Sequence, residues 1–193
     1  MEKGLLQREY VERQQSIAQI SKRLGTTEGR VNYWLKTYGI PRRTRSEAVY
    51  IRNHPDGDPF CVKVIKTPKE KWLQGLGLGL YWGEGNKKCI HSVRLGNTDP
   101  QLLRHFKQFL VELYGVDPSS LKYGLQIFTD IDAADAMNYW QNEMNASAEQ
   151  FYKPTITISG KVGTYRHKSK NGVLTLYYHN KKLRDILVGQ LPR

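Results

Sequence analysis

Apolar positions at the start of the chain recur at helical spacing: Leu6 and Tyr10, then Ile17, Ile20 and Leu24, then Val31 and Leu35. The pattern predicts three short helices over residues 1–40. Ser16 with Gln19 has the order of a capping box at the start of the second helix. Gly25 stops that helix, and Thr26 or Thr27 caps the third. The stretch GIPRRTRSEAVYIRNHPDGDPF that follows is basic and turn-rich, and its prolines and glycines oppose a long helix, so residues 41–68 read as a linker. From about Val62 helical and strand-like periods alternate. They predict a glycine-rich apolar helix near 69–84, a strand near 90–96 and a helix from Pro100 to Tyr114, then a strand near 121–128 and a helix near 131–145. Strands near 155–159 and 173–178 and a last helix from Asn180 complete the series. Strands interleaved with helices predict an α+β domain over 69–193, with helices on one face of a mostly antiparallel sheet.

Within the first forty residues the second and third helices have the spacing of a helix-turn-helix. Ser21 is the small residue facing the partner helix, Gly25 supplies the positive φ of the turn, and Val31 is the apolar residue six positions later. Val31 and Leu35 then bury one face of the third helix and leave Gly29, Asn32, Tyr33 and Lys36 on its outer stripe, flanked by Arg30. Asn pairs bidentately with adenine, and Lys reaches guanine or phosphate. Arg42, Arg43 and Arg45, on an extended segment leaving this helix, are placed to clamp phosphates or enter a minor groove.

Charge agrees with that chemistry. Lys and Arg exceed Asp and Glu by 30 to 18, for a formal net charge of +12, and the resulting field favours polyanionic partners such as nucleic acid, of which the helix-turn-helix points to double-stranded DNA. The two cysteines, Cys61 and Cys89, lie far apart outside any C-x-x-C pair, which argues against a disulfide framework or a zinc ribbon and for a reducing compartment. MEKGLLQREYVERQQ carries charges where a secretory signal needs an apolar run, and no stretch approaches the roughly 20 apolar residues of a membrane span. The expected location is cytoplasmic, associated with the nucleoid.

The segment KWLQGLGLGLYWGEGNKK, residues 71–88, is the most unusual. As a helix it aligns Gly75, Gly79 and Gly83 at i, i+4 and i+8. Interior glycines sacrifice about 1 kcal/mol each relative to alanine, so such a helix needs a partner whose backbone comes close. Two copies packed by that face would bring the Glu84 carboxylates at their ends together, an arrangement suited to hard divalent cations and attack on a phosphodiester. Glu84 is then a candidate catalytic and metal-binding residue; the alternative is that it simply ends an apolar helix beside Gly85 at its C-cap. Asp99, Asp117, Asp130, Asp132 and Asp135 sit at strand–helix boundaries and read as helix caps. His91, His105, His167 and His179 show no closely spaced metal pattern, while Trp72, Trp140 and Tyr139 read as core.

Gly79-Leu80-Tyr81-Trp82-Gly83-Glu84-Gly85 resembles the G-L-I-D-A-D-G half of the LAGLIDADG motif, with Glu84 at its terminal acidic position. VRLGNTDPQLLRHFKQFLVELYG and GVLTLYYHNKKLRDIL are similar to later strands and helices of that homing endonuclease family. Trp82 stands where the family often has Asp, and Gly83 where Ala is frequent. The resemblance implies an αββαββα-like domain whose sheet forms a saddle on DNA. It also implies a homodimer through the motif helices, with the terminal acids binding Mg2+ and the duplex being cut by metal-dependent hydrolysis. The alternative is a transcriptional regulator that keeps the domain only as a dimerisation and docking scaffold. Lys161, Arg166, Lys168 and Lys170, in GKVGTYRHKSKNG, are candidates to grip phosphates.

Overall fold

A computed structural model of the chain describes residues 1–158 and 170–192. It divides into two units, Met1–Asp58 and Pro59–Arg193, each with its own apolar core.

In the first unit, α1 (Lys3–Leu6) runs on as a π-helical stretch, Gln7–Glu12, and is followed by α2 (Ile17–Arg23) and α3 (Glu28–Thr37). The capping box forms: Ser16 Oγ accepts from Gln19 N at 3.1 Å, and Gln19 Oε1 from Ser16 N at 2.8 Å. Thr27 caps α3, and Gly25 takes φ +58° in the turn. Leu6, Tyr10, Ile20, Val31, Leu35 and Ile40 form the core. Glu9 is also buried, at 1 % exposure. Arg23, Arg13 and Arg8 lie at 2.6, 3.1 and 3.3 Å from its carboxylate, and the bond to Arg23 leads in holding it below the usual carboxylate range. A charge so placed persists only because it is paired.

The stretch 41–68, which its prolines and glycines suggest as a linker, contains the boundary between the two units and is in part helical. Thr44 and Glu47 form a second capping box and start α4 (Arg45–Asn53), which fits between Pro41 and Pro55 without containing either. Its far end belongs to the second unit, where Phe60 is buried and the amides of Cys61 and Lys63 donate to Tyr114 O and Leu113 O at 2.8 and 2.9 Å.

The second unit runs α5 (Pro68–Glu84), β1 (Val93–Asn97), α6 (Pro100–Tyr114), β2 (Lys122–Phe128), α7 (Ala133–Met144), β3 (Thr155–Thr157), β4 (Val173–Tyr178) and α8 (Lys181–Gly189). It is α+β, and the sheet order is β1-β4-β2-β3. β4 pairs antiparallel with β1 and β2, whereas β3 lies parallel to β2. The sheet is therefore mixed, and among the described elements the order differs from αββαββα. Asp99 and Pro100 explain one departure: Asp99 caps α6 by accepting from Gln101 N at 2.8 Å, and Pro100 occupies the first turn. The chain thus enters a helix directly after β1, and the antiparallel neighbour that precedes β1 is reduced to an isolated bridge, Gly85 to Leu95. Asp117 and Asp132 cap in the same way. Among the described residues no helix is long and apolar enough to cross a membrane.

Along β1, β2 and β4 buried positions alternate with more accessible ones, so one face packs on the helices and the other stays open. α5 buries Leu73, Gly77 and Tyr81. A Cβ on Gly77 would lie 2.1 Å from Cγ of Phe109, so the backbone of α5 rests on the Phe109 ring of α6. Trp140 is buried, as its apolar setting predicts, but Trp72 is 57 % exposed on the opposite side of α5.

Two expectations follow from α5. Gly77→Ala must push α5 off Phe109 and is expected to lower unfolding free energy by about 1–3 kcal/mol; Gly79→Ala, whose Cβ would meet nothing within 4 Å, should raise it by about 0.5–1 kcal/mol in the monomer. Urea titration of both variants checks the pair. Glu70, at the start of α5, accepts from Lys63 Nζ at 2.8 Å and from the amides of Thr67 and Lys66, and these bonds pull its pKa from 4.5 down to about 2. A depressed carboxylate contributes stability above its unfolded pKa, and that contribution fades as pH falls from 4.5 towards 2. Melting curves across that range should converge for Glu70→Gln and the wild type at the acid end.

Candidate nucleic-acid interface

In the first unit α3 presents Gly29, Arg30, Tyr33 and Lys36 outward, Tyr33 at 63 % exposure. Val31 and Leu35 are fully buried beneath them, which fixes the rotation of the helix. Asn32 departs from the expected stripe. It is half-buried, and its Oδ1 is enclosed without a hydrogen-bond partner among the described residues, so in this rotamer it does not offer the bidentate edge that adenine needs.

Arg42 is exposed on the extended segment, and Arg45 is exposed in the first turn of α4. Arg43 is a correction. Its guanidinium donates to Tyr10 O, Gln15 O and Gln14 O at 2.7, 2.7 and 2.8 Å and stacks 4.0 Å from the Tyr10 ring centroid. It ties down carbonyls where the first helix ends, with Gln14 at φ +54°, so its donors are spent on the fold.

The second unit contributes the open face of its sheet. Strand register places Arg94, Tyr177 and Lys122 in one row across β1, β4 and β2. Gly96, Thr175 and Gly124 form the next row, in which the Thr175 side chain lies over Gly96 and the Tyr177 ring lies over Gly124. Gln126 and Thr155 stand together beyond it. The Arg94 guanidinium lies 5.2 Å from the Tyr177 ring, which stacks on His179, and His179 Nε2 shares a hydrogen bond of 2.7 Å with Tyr152 Oη. Burial first, then Arg94 and Lys122, lowers the His179 pKa and so favours the neutral ring. Of these residues the sequence reading named only His179, and that in setting aside a metal site. The available signal was the period of two in β1, β2 and β4, which puts Arg94, Lys122 and Tyr177 on the side away from the leucines. Lys170 is exposed in the turn before β4; Lys161, Arg166 and Lys168 lie outside the described residues.

Glu84 is the last residue of α5 and is exposed. Among the described residues nothing pairs with its carboxylate, although the backbone around it is held at several points. Gly85 N donates to Tyr81 O, and Asn86 N to Arg94 O, both at 2.9 Å. Lys87 Nζ donates to Trp82 O at 2.6 Å. A carboxylate at a helix C-terminus opposes the macrodipole, so the position favours a bound cation over an empty charge. Oxygen donors of this type suit Mg2+. Among its described residues the chain gathers no group of three or more His, Cys, Asp or Glu side chains that could hold a metal ion. Gly75, Gly79 and Gly83 face outward, and a Cβ on any of them would meet nothing within 4 Å. Trp72 and Trp82, both more than half exposed, accompany them.

No protein-family model, curated protein or solved structure matches the chain.

Proposed function

We propose that the protein binds double-stranded DNA as a homodimer and hydrolyses it at a specific site with Mg2+, Glu84 of each subunit being the metal-binding acid. The observation that carries the proposal is the free carboxylate of Glu84 on a backbone fixed from both sides, at the tip of a helix whose glycine face is open. Gly75, Gly79 and Gly83 let a second α5 approach closely enough to bring its own Glu84 alongside. Arg94, Lys122 and Lys170, with Arg30, Lys36, Arg42 and Arg45 of the first unit, neutralise phosphates, and the net charge of +12 supports that role. Arg94 and Gln126 are the side chains of the sheet suited to base edges. When bound, Mg2+ supplies charge neutralisation at the scissile phosphate and acidifies a water; the chain supplies the oxygen ligand, the orientation and the grip on the duplex.

A regulator without cleavage is the second candidate. It is favoured by the self-contained helix-turn-helix unit and by Lys87, the first basic residue after the motif, whose ammonium is occupied by the α5 carbonyls. Incubation with a randomised duplex library in Mg2+, followed by sequencing of bound molecules and new ends, separates the two. Ends clustered at one motif for the wild type and lost in Glu84→Gln, with binding retained, are expected. Enrichment without ends would make the protein a regulator.

A further inference from the structure

Arg184 of α8 reaches the loop beyond Glu84. Arg184 is 13 % exposed; its Nη2 donates to Lys87 O and its Nη1 to Asp185 Oδ1 at 3.0 Å. Lys87 in turn sends its ammonium back to Trp82 O, two residues before Glu84. Asn86 Oδ1 accepts from the amides of Lys88 and Cys89, both at 3.1 Å, which closes the turn. These bonds run from α8 through Arg184 and Lys87 to the last turn of α5.

We infer that Arg184 is a positioning residue for Glu84: its guanidinium fork fixes Lys87, and Lys87 fixes the helix end that aims the carboxylate. The inference rests on the proposed role of Glu84 in cleavage. The end of a helix frays unless its free carbonyls find donors. In α5 those donors are the Gly85 amide and Lys87 Nζ, and the second of them sits on a loop with no regular structure of its own. A metal-binding acid has to be held within a fraction of an ångström by groups that never touch the metal, and loss of such support typically lowers activity or metal affinity 10–100-fold. Lysine cannot replace the fork, because a single ammonium does not hold Asp185 and the Lys87 carbonyl in one fixed plane.

The test compares Arg184→Lys and Lys87→Met with the wild type on a cleavable duplex. Single-turnover rates are measured at saturating DNA and Mg2+, and duplex affinity is measured in Ca2+. Hydrogen exchange at the amides of residues 85, 86, 88 and 89 reports on the turn. Arg184→Lys is expected to cut at least tenfold more slowly and bind within twofold of wild type. Exchange should accelerate at those four amides and stay unchanged in β4. The double variant should lose little more than the worse single variant, because both act on one helix end. Unchanged rate, unchanged exchange in the turn, acceleration throughout the unit, or a double loss equal to the product of the single losses would each overturn the inference. A wild type that binds and never cuts would overturn cleavage itself, and the exchange pattern alone would then decide whether Arg184 holds the turn.

Discussion

The absence of a side chain at Gly77 lets the Phe109 ring lie against the backbone of α5, and the placement of the acid follows from that contact. A helix seated so deeply on α6 buries Leu73 and Tyr81 on the same side and turns Gly75, Gly79 and Gly83 away from the core. Glycines thus lie on opposite faces of one helix. Gly77 receives the Phe109 ring, whereas Gly75, Gly79 and Gly83 expose backbone at a cost in helix propensity, and a Cβ on any of them would meet nothing within 4 Å among the described residues. A second copy of the helix would offset that cost, and the exposed Trp72 and Trp82 would then gain apolar cover.

Local order was largely legible in the sequence, because it depends on residues close together along the chain. The Ser16–Gln19 capping box, the positive φ at Gly25, and the alternation of leucines with polar residues in β1, β2 and β4 need no tertiary information. Long-range pairing was not legible. β1 finds its partner in β4, and β3 runs parallel to β2, pairings between strands far apart along the chain that their own alternation does not specify. The helix at Arg45–Asn53 was hidden for another reason: prolines on both sides gave its surroundings the composition of a linker, while the Thr44–Glu47 box inside it was enough to start a helix.

Charged residues show the same division. Counting arginines placed Arg42, Arg43 and Arg45 together as phosphate contacts, yet the structure assigns Arg43 to the carbonyls of the first helix and leaves its neighbours exposed. Glu9 and Arg184 carried no sequence signal at all, since a buried ion pair or a side chain reaching across a loop is defined only by tertiary neighbours. For Glu84 the motif gave the position, and the structure adds the physical reason to single it out: a free carboxylate at the unfavourable end of a helix dipole, on a backbone pinned by Gly85, Asn86 and Lys87. Gly77, between the glycines that the motif spacing emphasised, was overlooked because its role requires Phe109.

Everything proposed for Glu84 depends on a second copy reaching it, so the composition of the DNA complex is the most direct measurement. Sedimentation of the 22.3 kDa chain with its enriched duplex in Ca2+ gives the number of chains per DNA. Two chains per duplex, at protein concentrations down to those where binding half-saturates, are expected for a site built from paired α5 helices. One chain per duplex at saturation would contradict a shared site.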